Sequence, residues 1–300
     1  MKIGFIGLGN MGSGMARNLL KFSQAKGHEL LVLDLNREVV DLLVSRGAHD
    51  GESIANIAQQ SDVIFTSLPS AKEIAEVGLG KQGLLQNMKD HSVWFETSTN
   101  ELAEWQKIKA EAKRLSPSLI LIDAPVTGGT EGAATGTLTM LLGADEAALE
   151  PHRPMLASFT SKAVCMGPSG SAYVAKLCQL HLNYLVAQGI GETMMLGAKA
   201  DLDLHTLYSV LQTSCAQSYV VDNYIPKVLD GSYDESFTLG LATKDMRLIS
   251  ELGEHLEVPL SLGDAVYASY QTATATYGTD QPHLKIVKLI EDQVGCLLRR

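Results

Sequence analysis

Cysteine is scarce in this 300-residue chain. Cys165, Cys178, Cys215 and Cys296 lie far apart, and no two form a C-x-x-C pair. That spacing excludes a disulfide framework and a zinc-finger pattern, and it predicts buried thiols in a reducing compartment. The histidines are scattered too and form no ligand cluster along the chain, so no metal is expected. Positive charge is also in deficit: 24 Lys and Arg against 34 Asp and Glu give a formal charge of −10. A nucleic-acid partner held by phosphate contacts is thereby disfavoured, whereas a small anion in a local cationic pocket is not. No apolar run approaches the length of a membrane span. The first residues already read as a strand, so no signal peptide is expected. Internal repeats and low-complexity tracts are absent. These absences leave a cytoplasmic, metal-free enzyme as the expectation, in one large domain or two.

What the chain does have begins at Lys2-Ile3-Gly4-Phe5-Ile6-Gly7-Leu8-Gly9-Asn10-Met11-Gly12. An apolar strand runs into G-x-G-x-x-G, and Met15, Leu19 and Leu20 continue as the apolar side of a helix. Each glycine has a physical task in a dinucleotide site. Gly7 permits a tight turn, Gly9 lets the backbone approach a pyrophosphate, and Gly12 lets the helix sit close on the strand. The helix N-terminus then offers N–H groups and a positive dipole end to phosphate. A plain glycine turn without ligand is the alternative. Residues Lys21 to His28 read as a polar connection to a second strand, Glu29–Asp34. Asp34 follows Gly12 at the spacing where an acid meets an adenosine ribose, which favours NAD over NADP. Alternatively Asp34 caps the next turn, and Arg37 is placed to accept a 2′-phosphate.

Further strands are expected at Asp62–Pro69, Ser92–Glu96, Ser118–Asp123 and Gly136–Gly143, with helices at Arg37–Arg46 and Ala71–Val77. A hydroxyl of Thr97-Ser98-Thr99-Asn100 is expected to cap a helix near Glu101. Strands alternating with helices mean an α/β, mostly parallel, doubly wound sheet. After Val164 the character changes to helical periodicity alone. The division is therefore placed at 1–164, a dinucleotide-binding domain, and 165–300, a helical domain for substrate and oligomerisation.

Three stretches carry chemistry. Lys176 is the only Asp, Glu, Lys or Arg between Lys162 and Glu192, in a run typical of a buried helix. Burying an ammonium is costly, and desolvation lowers its basicity toward the range useful in proton transfer. A lysine that snorkels to the surface is the bland alternative. Thr127-Gly128-Gly129, within Asp123-Ala124-Pro125-Val126-Thr127-Gly128-Gly129, can expose backbone N–H groups to a carboxylate or can be a bare turn. Phe237 to Asp245 by itself reads as a solvated helix start.

Taken together, these blocks resemble the β-hydroxyacid dehydrogenases, the family of 3-hydroxyisobutyrate dehydrogenase and tartronate semialdehyde reductase. The matching blocks are Gly4–Gly12, Asp123–Gly129, Gly167-Pro168-Ser169-Gly170 with Lys176, and Phe237 with Lys244-Asp245, in order over essentially the full length. The resemblance implies a Rossmann domain and an all-helical C-terminal domain joined by a long helix. It implies NAD(P)-linked interconversion of a small 3-hydroxyacid and its semialdehyde. Lys176 then occupies the catalytic position, and Thr127, Gly128 and Gly129 the substrate-carboxylate loop. Gly7, Gly9, Asn10, Met11, Gly12, Asp34, Leu68, Pro69 and Thr99 fall at cofactor positions, and Phe237 and Lys244 at the nicotinamide end. Two departures stand out. The connection Ser23–Lys26 is longer than usual, as a surface insertion would be. Leu180 stands where the family has asparagine, which brings in Gln179 and Asn183 as polar substitutes near the lysine's side of the helix. The rival readings are a reductase of another small carbonyl or imine, and a dinucleotide-binding sensor or scaffold without turnover. Apolar faces in the helical half point to a homo-oligomer, a dimer or tetramer.

Overall fold

In the first 167 residues, short extended runs alternate with helical patterns, and nine of them become strands. They are β1 (Lys2–Ile6), β2 (Glu29–Leu33), β3 (His49–Asp50), β4 (Val63–Thr66), β5 (Val93–Glu96), β6 (Ile120–Asp123), β7 (Val126–Thr127), β8 (Leu138–Gly143) and β9 (Thr160–Gly167). The computed structural model describes residues 1–299. It divides into two compact units, Met1–Lys176 and Leu177–Arg300.

All nine strands belong to one sheet, in the order β3-β2-β1-β4-β5-β6-β8-β7, with β9 on β8. β3, β2, β1, β4, β5 and β6 pair parallel with one another in that order, whereas β8 runs antiparallel to β6 and β7. β1 lies between β2 and β4, the point where strand order reverses and where open α/β sheets bind ligands at their carboxyl ends. The register aligns Ile6, Thr66, Glu96 and Asp123 as the last residues of four adjacent strands. Every loop of interest therefore leaves from one edge.

Helices cover both faces, which is why the strands are apolar without alternation. They are α1 (Gly12–Lys26), α2 (Arg37–Val44), α3 (Ile54–Gln60), α4 (Ala71–Leu79), α5 (Leu84–Asn87), α6 (Leu102–Leu115), α7 (Gly129–Thr135), α8 (Glu146–Leu149) and α9 (Arg153–Leu156). Alternating strand residues divide between two cores. Phe5, Phe65 and Phe95 stack on one face, with ring centroids 6.0 and 5.1 Å apart. On the other face Trp94 meets Trp105 edge-on at 5.6 Å, and Trp105 meets Tyr173 at 5.7 Å.

α10 (Ser171–Lys199) starts in the first unit and continues into the second. The second unit adds α11 (Leu204–Gln212), α12 (Tyr219–Leu229), α13 (Leu239–His255), α14 (Ser261–Tyr277) and α15 (Lys285–Val294), and has no regular strand among the described residues. Its core is built on Tyr184, Ile225, Met246, Tyr270 and Val287. No helix among the described residues is long and apolar enough to cross a membrane.

Three expectations are corrected. Ser23–Lys26 is the last turn of α1, closed by Gly27 in a left-handed conformation. Ser23 is buried and donates its hydroxyl to the Leu19 carbonyl, so a polar run hides an inward-facing residue. The N-cap of α6 is Glu101, not a hydroxyl residue, and the Asn100 side-chain Oδ1 accepts its N–H. None of the four cysteines is fully buried: Cys178 and Cys215 are exposed, Cys165 and Cys296 half-buried.

Candidate active site

The glycine turn is fixed by contacts that tolerate no side chain. Gly7 has φ +92°, and a Cβ there would lie 2.1 Å from the Ser67 carbonyl oxygen. A Cβ on Gly12 would lie 1.9 Å from the Gly7 carbonyl oxygen. Gly9 differs: a Cβ would meet nothing within 4 Å, so its backbone fronts open space. Asn10 and Met11 complete the turn, and Met11, the N-cap of α1, offers no side-chain acceptor to the first N–H groups. Uncapped donors at a helix N-terminus are the groups a phosphate uses. The turn fits a dinucleotide on these grounds.

Asp34 braces this turn. Its Oδ2 accepts the Leu8 N–H at 2.5 Å and its Oδ1 the Asn36 N–H at 2.7 Å. The carboxylate is half-buried, and each oxygen keeps a further acceptor site. Capping a turn and receiving ribose hydroxyls are thus compatible. Arg37 is turned to other partners: its guanidinium bonds Asp50 at 2.7 Å and Asp41 at 3.1 Å. That hydrogen bond holds the Asp50 carboxyl below its usual range.

After β4, the Leu68 N–H donates to Ser98 Oγ at 2.8 Å, tying the Leu68-Pro69 loop to the Ser98-Thr99 loop after β5. After β6, β7 places Thr127 opposite Thr139. Gly128 and Gly129 follow with φ of +125° and +65°, a backbone path suited to glycine. α7 opens there with no side-chain cap.

Lys176 is 7 % exposed, in the second turn of α10. Two buried carboxylates at strand ends anchor the start of that helix. Asp123 Oδ1 accepts Ser169 Oγ–H at 3.0 Å and the Gly170 N–H at 2.9 Å, and Oδ2 accepts the Ala172 N–H at 3.1 Å. Trp105 adds an indole N–H to Ser169 Oγ at 3.0 Å. A Cβ on Gly143 would overlap the Asp123 carboxylate, so that glycine makes its room. Glu96 is wholly buried and accepts the Tyr173 hydroxyl at 2.5 Å, one turn before Lys176. Its other oxygen accepts the Ser98 N–H at 3.1 Å and the hydroxyls of Ser98 and Thr66. Burial pushes the Glu96 carboxyl above its usual range despite these donors. Burial, with Glu96 beside it, raises the Tyr173 phenol well above its own.

The other candidates lie in the helical unit. Gln179 is exposed on α10. Leu180 packs into the helical core with Leu177 and Tyr184, an apolar setting that explains an apolar residue. Asn183 is half-buried, and its Oδ1 accepts the Tyr224 hydroxyl at 3.4 Å. Phe237 packs edge-on to His283 at 5.5 Å, and its carbonyl accepts the His283 N–H at 2.9 Å. Lys244, in the second turn of α13, has its Nζ 3.3 Å from Asp245 Oδ1. Asp245 is also bonded by the Tyr184 hydroxyl at 2.9 Å.

Sequence reasoning missed Glu96 and Tyr173, and it gave Asp123 no role of its own. The available signal was an acid ending each of two apolar strands.

Comparison with known proteins agrees with this geometry. Residues 2–167 match the NAD binding domain of 6-phosphogluconate dehydrogenase, and residues 170–290 match a family described as NAD-binding of NADP-dependent 3-hydroxyisobutyrate dehydrogenase. A probable mitochondrial 3-hydroxyisobutyrate dehydrogenase of Dictyostelium discoideum is 32% identical over 95% of this chain and 89% of its own. An NAD-dependent L-serine dehydrogenase of Pseudomonas aeruginosa is 33% identical over 98% and 99%. The crystal structure of a 3-hydroxyisobutyrate dehydrogenase from Salmonella typhimurium superposes with a TM-score of 0.84 at 26% identity, over 96% of this chain and 99% of that one. With two NAD(P)-binding family domains along its length and relatives of this kind, the chain belongs to the β-hydroxyacid dehydrogenase family and is an NAD(P)-dependent dehydrogenase acting on CH–OH groups.

Proposed function

We propose that the protein interconverts a small 3-hydroxyacid and its semialdehyde, with NAD preferred and Lys176 as the proton-transfer group. The observation that carries this is a 7 %-exposed lysine whose helix start is fixed by two buried carboxylates. Such anchorage holds a side chain within the narrow tolerance that proton transfer requires. The nicotinamide supplies the hydride chemistry when bound. The chain's own residues do the rest. Gly7, Gly9, Asn10, Met11 and Gly12 hold the pyrophosphate, with Leu68, Pro69 and Thr99 beside the cofactor. Asp34 takes the ribose hydroxyls, and the occupied guanidinium of Arg37 supports NAD over NADP. Thr127 and the Gly128-Gly129 amides take the substrate carboxylate. In oxidation, neutral Lys176 accepts the hydroxyl proton; in reduction, its ammonium gives one to the forming alkoxide. Gln179 and Asn183 are assigned to the substrate, and Phe237 and Lys244 to the nicotinamide end, on the family resemblance. The substrate then is a carboxylate, and the enzyme a cytoplasmic dimer or tetramer.

A turnover screen tests this reading directly. The protein is assayed with NAD and with NADP against 3-hydroxyisobutyrate, serine, glycerate and their uncharged alcohol analogues. Oxidation of carboxylate substrates with NAD is expected. Nucleotide binding without turnover of any of them would favour the scaffold reading, and a better rate on the uncharged analogues would remove the carboxylate loop. Thr127→Val should raise KM for the carboxylate substrates about tenfold, as loss of one hydrogen bond to a charged group predicts.

A further inference from the structure

Five of the seven described arginines are engaged. Arg37, Arg114, Arg153 and Arg247 each meet a carboxylate, and Arg299 lies over the Tyr233 ring. Arg17 and Arg46 have neither kind of partner among the described residues. Both line the same cavity, of about 420 Å³, together with Lys21. Asn18, Gln24 and Ala134 contribute to its wall, and no carboxylate does.

The fold builds this cavity deliberately in physical terms. Arg17 and Lys21 are spaced i,i+4 on α1, so two like charges project from one face, an arrangement that disfavours the helix by itself. Arg46 is brought against them by the loop after α2, where Gln24 Nε2–H donates to the Arg46 carbonyl at 2.8 Å. The floor is tied to α7: buried Asn18 donates its amide to the carbonyls of Ala133, at 2.9 Å, and Ala134, at 3.2 Å. The dipole of α2 favours a cation beyond its C-terminus and accounts for Arg46 alone. Arg17 lies within α1 and gains nothing from it. Arg17, Lys21 and Arg46 thus line one cavity with no carboxylate in its wall, in a protein of net charge −10, an arrangement that favours a bound anion.

We propose that this cavity binds a small phosphate-bearing polyanion of the pyrophosphate type. Guanidinium forks match phosphate oxygens in pairs, and the volume lies in the range of small-molecule sites. Its walls are α1 and α7, the helices that open at the glycine turn and at Gly129, so an occupant touches both. The proposal stands independently of the substrate.

The test is calorimetric titration of inorganic pyrophosphate into the enzyme saturated with NAD at low salt, so that the glycine turn is already taken. Saturable single-site binding is expected. The double variant Arg17→Ala/Arg46→Ala should bind at least tenfold more weakly, while its melting temperature and its turnover without pyrophosphate stay at wild-type values. Lys81→Ala/Lys113→Ala, which removes the same charge elsewhere on the first unit, should bind as the wild type does. Absence of saturable binding, unchanged affinity in the arginine variant, or equal weakening in the lysine variant would each overturn the assignment.

Discussion

Asp34, the residue after β2, and Asp123, the last of β6, lie at the same edge of the sheet, yet they are spent differently. Asp34 is half-buried and accepts one backbone bond per oxygen, leaving acceptor capacity for a ligand. Asp123 is fully buried, with three donors in the peptide and hydroxyl groups that start α10. Glu96, between them in the sheet order, resembles Asp123: it accepts hydrogen bonds from Thr66, Ser98 and Tyr173. Residue type at a strand end therefore leaves the role open, and burial with partner count decides it. An acid with spare lone pairs near solvent binds; a saturated one in the interior positions.

The largest expected effect that could break this comparison is at Asp123. Asp123→Ala leaves the Gly170 and Ala172 N–H groups unsatisfied in the interior and should cost about 3 kcal/mol or more of unfolding free energy by denaturant titration. Where that variant fails to fold, Asp123→Asn serves. It keeps one acceptor oxygen but presents an amide to the Ala172 N–H, and should cost about 1–2 kcal/mol. Its kcat should fall while nucleotide affinity stays unchanged. A fall in nucleotide affinity with kcat intact would reverse the roles assigned to the two acids.

A smaller effect, in the opposite observable, is expected at Asp34. Asp34→Ala should weaken NAD binding about tenfold, the loss of hydrogen bonding to a charged acceptor, and leave kcat at saturating NAD near normal. A preference for NADP in the wild type would move attention to Arg37.

The smallest effect is a slope. The Glu96 carboxyl is raised above 4.5 in the fold by burial. As pH rises past that value the unfolded chain loses its proton first, so the native state binds more protons and stability falls with pH. The fall ends once pH passes the folded-state value, and for one proton it is bounded at about 1.4 kcal/mol per pH unit. Glu96→Gln should remove this part of the slope in melts run from pH 4.5 upward. Identical slopes in the two proteins would mean that Glu96 is ionised throughout.

The same contrast explains what the sequence made legible. The glycine turn, Asp34 and the Thr127 loop are local: their spacing along the chain carries the geometry, and the structure places them at one sheet edge. Glu96 and Tyr173 are 77 residues apart, and nothing in either neighbourhood announces the other. The reversal of β8 was hidden because a buried apolar run reads alike in both directions. Ser23 was misplaced because a polar stretch disguises a helix turn whose serine satisfies itself on the Leu19 carbonyl. The helical half was legible as helices, since periodicity is local, whereas the burial of Leu180 depends on its neighbours in the second core.

The central claim is that the carboxylates position and Lys176 transfers the proton. It is tested most directly by steady-state kinetics and NAD titration of Lys176→Ala, on a substrate that the wild type turns over. The expected result is a kcat about 10²–10⁴-fold lower with nucleotide affinity essentially intact. A kcat near that of the wild type would contradict it and make Lys176 a structural residue.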